Sequence, residues 1–319
     1  MPLENTIIVV DKEPYCIWEV DISEQNEKFL KSIDVEYFDY VLKQNAEAED
    51  DKRASVALQL AYHHALETLF SYIGAYIQAP DCAYAWIAKV QNVQLRSVIE
   101  KVSLNDDSLF TKLNIPSISW KNISRLVFQQ YMPGTEKQND TIELFADLWF
   151  RLAREFTDDN HAIEYNSMKH GFRVHPGGFG LSVGIEHEYG VPCPKDEMKT
   201  VGYSEYGVSL YTLEKVGNQK GSRSLISKNR SFNWRVEKTI ILLQLISNSI
   251  NNIVGALRIA NGVSANTIKF LRPVESEFFT KAWGYTPGIN NLCFHYTIEE
   301  KYVAELCIKR VIERSIRQA

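Results

Sequence analysis

The sequence predicts an α+β protein: a mainly α-helical bundle core that carries a small antiparallel β-rich insertion. Three observations predict it. Apolar residues recur at three- and four-residue spacing over 54–78, 141–157 and 233–261. They alternate one-in-two over 179–185 and 208–213, the period of a half-buried strand. Turn signals, Pro176-Gly177-Gly178 and Pro192 to Pro194, punctuate the β-like stretch.

Each element follows in order. Residues 5–21 read as short strands, Ile7 to Val10 and Tyr15 to Val20, and 23–48 carry weak helical periodicity. The charged run 46–53, AEAEDDKR, is the solvated approach to a strong helix over 54–78. That helix has Leu58, Ala61, Tyr62, Ala65, Leu69, Tyr72 and Ile73 on its stripe, and Pro80 stops it. A second helix is expected over 83–102, with Trp86, Val90, Val93 and Ile99, then a loop over 104–117 and a short helix near 119–131. TEKQND, 135–140, reads as a polar loop. Ile142, Phe145, Leu148, Trp149 and Leu152 form the next stripe, interrupted by Thr157-Asp158-Asp159-Asn160. A helical stretch from His161 to His170 follows and ends at Gly171, a common C-terminal cap. Phe179 to Ile185 and Val208 to Leu213 are strands, 233–261 is helix, Leu292 to Thr297 is a strand and 298–318 a terminal helix. The expected organisation is an extension over 1–48, a bundle over 49–175, a β-rich insertion over 176–232 and core-completing C-terminal helices over 233–319.

Composition narrows the function classes. The 319 residues carry 35 Lys and Arg against 40 Asp and Glu, a net charge of −5, which excludes nucleic-acid binding by global charge but not by a local patch. Cys16, Cys82, Cys193, Cys293 and Cys307 are scattered and form no CxxC, as expected of free thiols in a reducing compartment. The N-terminus lacks the basic region of a signal peptide. The most apolar stretch, Thr239 to Leu257, holds Gln244, Ser247, Asn248, Ser249, Asn251 and Asn252, too many polar groups for a lipid span. A cytoplasmic protein with no membrane partner is expected. No Walker A, HExxH or GxSxG sequence occurs, and Gly178-Phe179-Gly180 with Gly184 lacks dinucleotide spacing and reads as a hairpin turn.

Two sets of residues carry chemistry. His64-Ala65-Leu66-Glu67 and His161-Ala162-Ile163-Glu164 share His-x-x-Glu, which on a helix turns imidazole and carboxylate the same way. This suits a metal ligand pair, or a hydrogen-bonded helix surface; carboxylate-bridged bundles use the opposite order and further glutamates. From Lys215 to Lys238 stand Lys215, Lys220, Arg223, Lys228, Arg230, Arg235 and Lys238, opposed only by Glu237 and interleaved with Phe232 and Trp234. Positive charge with aromatics suits single-stranded nucleic acid.

Tyr165-Asn166-Ser167-Met168-Lys169-His170-Gly171, closing a helix, resembles the signature region of HEPN-type domains. These are helical bundles of prokaryotic toxins, antiviral defence systems and CRISPR effectors. Their motif is Arg, a polar residue, and His four to six residues on. The resemblance spans roughly 50–175 and implies a cytoplasmic, dimeric RNA-binding protein or a metal-independent endoribonuclease with no cofactor. His170 would then be the general base, Asn166 the polar position, and Lys169 or Arg173 the phosphate contact. Tyr165 stands where the family has Arg, which implies an inactive relative. A second alignment takes Arg154 and His161 as the pair. Lys220, Arg223, Lys228 and Arg230 would bind the nucleic acid. Three functions stay open: a HEPN-like RNA-binding or RNA-cleaving protein, a non-catalytic dimerisation or partner-recognition bundle, and a metal-dependent enzyme using the His-x-x-Glu pairs.

Overall fold

A computed structural model describes residues 5–18, 22–216 and 224–298. The chain divides into two units, Met1–Lys169 with Arg235–Thr286, and His170–Trp234 with Pro287–Ala319. It is an α+β protein, helical in the first unit and antiparallel β in the second.

The first unit opens with a hairpin of β1 (Asn5–Val10) and β2 (Glu13–Trp18), turning at Asp11, whose φ is +57°. The weakly periodic segment that follows forms α1 (Ile22–Ser32) and α2 (Tyr37–Ala46). Then comes α3 (Asp51–Gln78), begun by Asp50, whose carboxylate accepts the Arg53 N–H. Nearly all faces of α3 are buried, so it lies inside the bundle and not on its surface.

The expected helix over 83–102 is two helices, α4 (Ala83–Lys89) and α5 (Asn92–Ser103). Val90 leaves helical geometry at ψ 136°, and Gln91 opens α5 in a reciprocal cap with Gln94. Val93, expected on the apolar stripe, is 78% exposed as a result. After α6 (Trp120–Val127), TEKQND proves to be helix rather than loop, since α7 runs Glu136–Thr157. Thr135 Oγ1 accepts the Gln138 N–H, and Gln138 Oε1 accepts the Gly134 N–H. Those bonds satisfy amides that a polar composition alone does not reveal. The Thr157–Asn160 interruption is only a one-residue break before α8 (Asp159–Lys169).

The second unit contributes β3 (Val174–Pro176), β4 (Gly180–Val183), β5 (Lys199–Tyr203), β6 (Gly207–Val216) and β7 (Ser224–Asn233). The chain returns to the bundle as α9 (Val236–Ala260) and the short α10 (Phe278–Lys281), and re-enters the β unit as β8 (Asn291–Ile298). The 233–319 stretch is therefore shared between the units and does not simply complete the helical core. The expected helix over 298–318 lies almost wholly outside the described residues, its first residue being the last of β8. β3-β6-β7-β8 form a four-stranded antiparallel sheet, and β4-β5 a separate pair. Gly178 packs so closely that a Cβ there would lie 2.3 Å from the Ser204 carbonyl oxygen.

α9 is long and apolar enough to cross a bilayer, but 78% of its apolar window is buried in the protein. Its polar groups serve the core. Ser249 accepts the Trp149 indole N–H at 3.1 Å, and Asn252 exchanges bonds with the Leu271 backbone at 2.7 Å.

One side chain ties the hairpin to α3. Fully buried Gln78 accepts the Asp11 N–H and the Trp86 indole, and donates to the carbonyls of Asp11 and Phe110. Trp86 then lies flat over Gly74, where a Cβ would come within 2.3 Å of its Cη2. Gly74→Ala is expected to cost about 1–3 kcal/mol by overpacking, read as a lower urea midpoint with an unchanged m-value.

Candidate functional site

α8 is built from a capped start. Asp158 accepts the Asn160 N–H at 2.7 Å, and Arg96 clamps the junction through the Thr157 carbonyl at 2.5 Å and Asp159 at 2.9 Å. His161, in the first turn, is half-buried and points at α3. Its Nδ1 lies 3.1 Å from Nδ1 of His63, which is 1% exposed. His63 Nε2 is 3.6 Å from buried Glu164 and 3.4 Å from Gln59 Nε2. Gln59 also donates to Glu164 at 3.4 Å and accepts from Thr239 Oγ1 at 3.0 Å. The other face of His63 stacks on Tyr165, centroids 5.3 Å apart and planes 14° apart.

A second polar knot surrounds Glu155. Its carboxylate accepts from the Tyr62 hydroxyl at 2.5 Å, Lys238 at 2.9 Å and the Trp283 indole at 3.2 Å. Burial, then the Glu155 charge, pushes the Tyr62 hydroxyl well above its ordinary pKa. Arg154, one residue earlier, is exposed. The second alignment therefore fails as a site: Arg154 turns to solvent while His161 turns into the bundle.

The electrostatics agree. Burial, then the neighbouring His63 and the Arg96 charge, drives the His161 pKa down to about 2. A ring that stays neutral at pH 7 has no proton to give as imidazolium, and its lowered basicity makes it a poor proton acceptor. Tyr165 is buried as well; its hydroxyl donates to Glu67 at 2.9 Å and is pushed above its ordinary range by burial and the Glu67 charge. The position that carries Arg in the resembling family thus holds a neutral packed phenol. Lys169 lies 3.5 Å from Glu67 and 5.0 Å from the centre of the Tyr165 ring.

The His-x-x-Glu pairs separate. His64 meets the aromatic rings of Tyr37 and Phe38, where burial lowers its pKa, while Glu67 serves Tyr165 and Lys169. It is the adjacent His63 that gathers with His161 and Glu164. Among the described residues no three His, Cys, Asp or Glu side chains are arranged to hold a metal ion.

At the end of α8 the environment changes. Asn166, Lys169, His170 and Arg173 are all exposed. Gly171 takes φ +79° and Phe172 φ +47°, ending the helix, and Arg173 Nε donates to the His170 carbonyl at 3.0 Å.

The basic stretch is less free than its composition suggests. Lys220 and Arg223 lie outside the described residues. Lys228 bonds Glu214 at 2.5 Å, and Arg230 is 4.0 Å from the same carboxylate. The β6–β7 register pairs Glu214 with Ile226, which puts Lys228 on the diagonal. Phe232 and Trp234, expected to stack on bases, are each 6% exposed. Exposed aromatics stand elsewhere on the same sheet: Tyr211, Phe294 and Tyr296. Strict alternation in β6 and β8 could have shown them, had both strands been read as sharing one sheet.

No protein-family model matches the chain, and no curated protein or solved structure matches it either.

Because the folded-state pKa of His161 lies below its unfolded value near 6.5, the unfolded chain binds a proton that the native chain refuses. That contribution is complete above about pH 6.5 and is lost as pH falls toward the folded value. Urea unfolding of wild type and His161→Gln at pH 7, 6 and 5 should show the wild-type advantage shrinking by up to about 1.4 kcal/mol per pH unit. Parallel pH profiles would mean that the ring titrates normally in the native state. Glu155→Ala, which strips three donors of their acceptor, is expected to cost about 2–4 kcal/mol at pH 7, measured by the same denaturation.

Proposed function

We propose that this chain is a HEPN-like RNA-binding protein that works in the cytoplasm as a homodimer. The observation that supports this best is the contrast along α8 and the residues after it. His161 is neutral and committed to packing, whereas Asn166, Lys169, His170 and Arg173 are exposed within eight residues of chain. Two of these four are permanent cations, and the third is an imidazole that water reaches. Such a segment suits a phosphodiester backbone: cations hold the phosphates and an amide reaches sugar or base.

Cleavage is the second reading, and the exposure of His170 favours it. Metal-independent cleavage needs one group to take the 2′-hydroxyl proton and another to protonate the leaving 5′-oxygen. His170 can supply one of these, with Lys169 or Arg173 beside the phosphate. The burial of Tyr165 in place of arginine counts toward binding without turnover.

Anisotropy titration of a labelled RNA at several salt concentrations tests the first reading. The double variant Lys169→Gln, Arg173→Gln should weaken binding and lower the salt slope by about 0.7 for each lost contact to a single strand. An unchanged slope removes these cations from the interface, and no binding by wild type removes the reading. Incubation with RNA in EDTA tests the second reading, which expects a cyclic-phosphate product that disappears in His170→Ala.

A further inference from the structure

Helix α8 is held to the bundle by polar contacts more than by apolar ones. Its buried residues are Glu164, Tyr165, Ser167 and Met168, of which only Tyr165 and Met168 are apolar. Among the described residues, the continuous apolar core of the bundle includes none from α8. What joins the helix to α3 is a row of hydrogen-bonding and charged groups. His161 meets His63, Glu164 meets His63 and Gln59, and Tyr165 and Lys169 meet Glu67. An 11-residue helix is marginal by itself in water, so these contacts keep it in place.

The contact at the head of the row is between two imidazoles. Nδ1 of His63 lies 3.1 Å from Nδ1 and 3.3 Å from Nε2 of His161, with ring centres 4.3 Å apart. At that spacing one ring must donate an N–H and the other must accept it on a bare nitrogen. Two neutral rings can do this, and so can one imidazolium with one neutral ring. Two imidazolium rings cannot. Every nitrogen then carries a proton, N–H faces N–H, and two positive charges stand in contact.

The surroundings do not balance a second charge. Glu164, 3.6 Å from Nε2 of His63, can answer one. Arg96 of α5, paired with exposed Asp159, adds permanent positive charge near His161. The Glu155 carboxylate on α7 is occupied by Tyr62, by Lys238 of α9 and by Trp283. That of Glu67 is occupied by Tyr165 and Lys169. Burial, then His63 and Arg96, accordingly resist a charge on His161. Once the rings part, His161 enters water and takes a proton near pH 6.5. Acid therefore favours the state in which they are apart.

We propose that α8 is an acid-released latch: the His63–His161 contact holds it on α3 while at least one ring is uncharged, and it comes away as a second proton enters the pair. The opening is local, because the apolar core that holds the rest of the bundle loses nothing when α8 leaves. The direction follows from the two states. The released ring binds a proton that the latched ring refuses, so the latch is fully closed above about pH 6.5 and its opening constant rises about tenfold for each pH unit below. The inference stands apart from the RNA reading.

Hydrogen exchange of the full-length protein at pH 7, 6 and 5, corrected for the chemical exchange rate at each pH, tests it. Peptides covering α8 should lose protection roughly 25-fold between pH 7 and pH 5. Peptides from α3 and α9 should keep theirs. His161→Gln retains a side chain that hydrogen-bonds but does not titrate, and should make α8 protection independent of pH, whatever its level. His63→Gln offers His161 an acceptor in either charge state, and should shrink the loss to a few-fold. Wild-type α8 protection that does not change with pH overturns the latch, as does a loss shared equally by α3 and α9. A loss that survives His161→Gln assigns the response to other groups and overturns it too. A full loss in His63→Gln overturns the pairing of the two rings as its cause.

Discussion

Burial of α3 on nearly all its faces is the constraint from which the first unit follows. A 28-residue helix in that position must be surrounded, and it is, by the β1–β2 hairpin and by α2, α4, α5, α7, α8 and α9. Each polar group on it then needs a partner supplied by another element, because an unpaired polar group in such a core costs more than a hydrogen bond returns. Gln78 meets the hairpin, Gln59 meets Thr239 of α9 and Glu164 of α8, Tyr62 meets Glu155 of α7, and His63 meets His161 of α8. The crossings between helices are thus marked by polar contacts that act as registers for otherwise apolar packing.

The same constraint decides the chemistry of α8. Its first two turns supply partners for α3, so His161, Glu164 and Tyr165 serve as packed and hydrogen-bonded groups. In its last turn Ser167 and Met168 are still buried and Lys169 reaches Glu67 of α3, while Asn166 and Lys169 are exposed, as are His170 and Arg173 after it. The helix therefore holds an imidazole that burial keeps neutral, and the turn that follows it carries another, nine residues on, in contact with solvent. Only the second retains freedom to meet a ligand. This is why the two histidines of the candidate alignments differ in exposure.

The β unit follows a different logic. Its sheet has only one apolar face committed to packing, and its central strand is narrow and polar on the other. Positive side chains on β7 turn toward Glu214 across the register, while aromatic rings on the flanking strands remain in solvent. Basic composition and aromatic content, which coincide in the sequence, are assigned by strand parity to different faces. Lys228 and Arg230 share the parity of buried Phe232, and Tyr211, Phe294 and Tyr296 share the other.

The sequence alone determined the fold class, the principal helices and the strands β4, β6 and β8, because hydrophobic periodicity is a local quantity, whereas β3, β5 and β7 were not read from it. Capping and turn residues act over three or four positions, so the end of α8 near Gly171 was also legible, whereas α3 begins at Asp51, inside the charged run read as its approach. What only the tertiary structure decided were the partners. That His63 and not His64 meets His161, that Tyr165 packs where an arginine was expected, and that Glu214 answers Lys228 all depend on contacts between elements. The assignment of β8 to the sheet of β6 and β7 is of the same kind, since it pairs residues from Phe232 with Asn291 to Leu225 with Ile298, far apart in the chain. Burial and pairing belong to the assembled fold, and they set whether a given imidazole, cation or ring is chemically available.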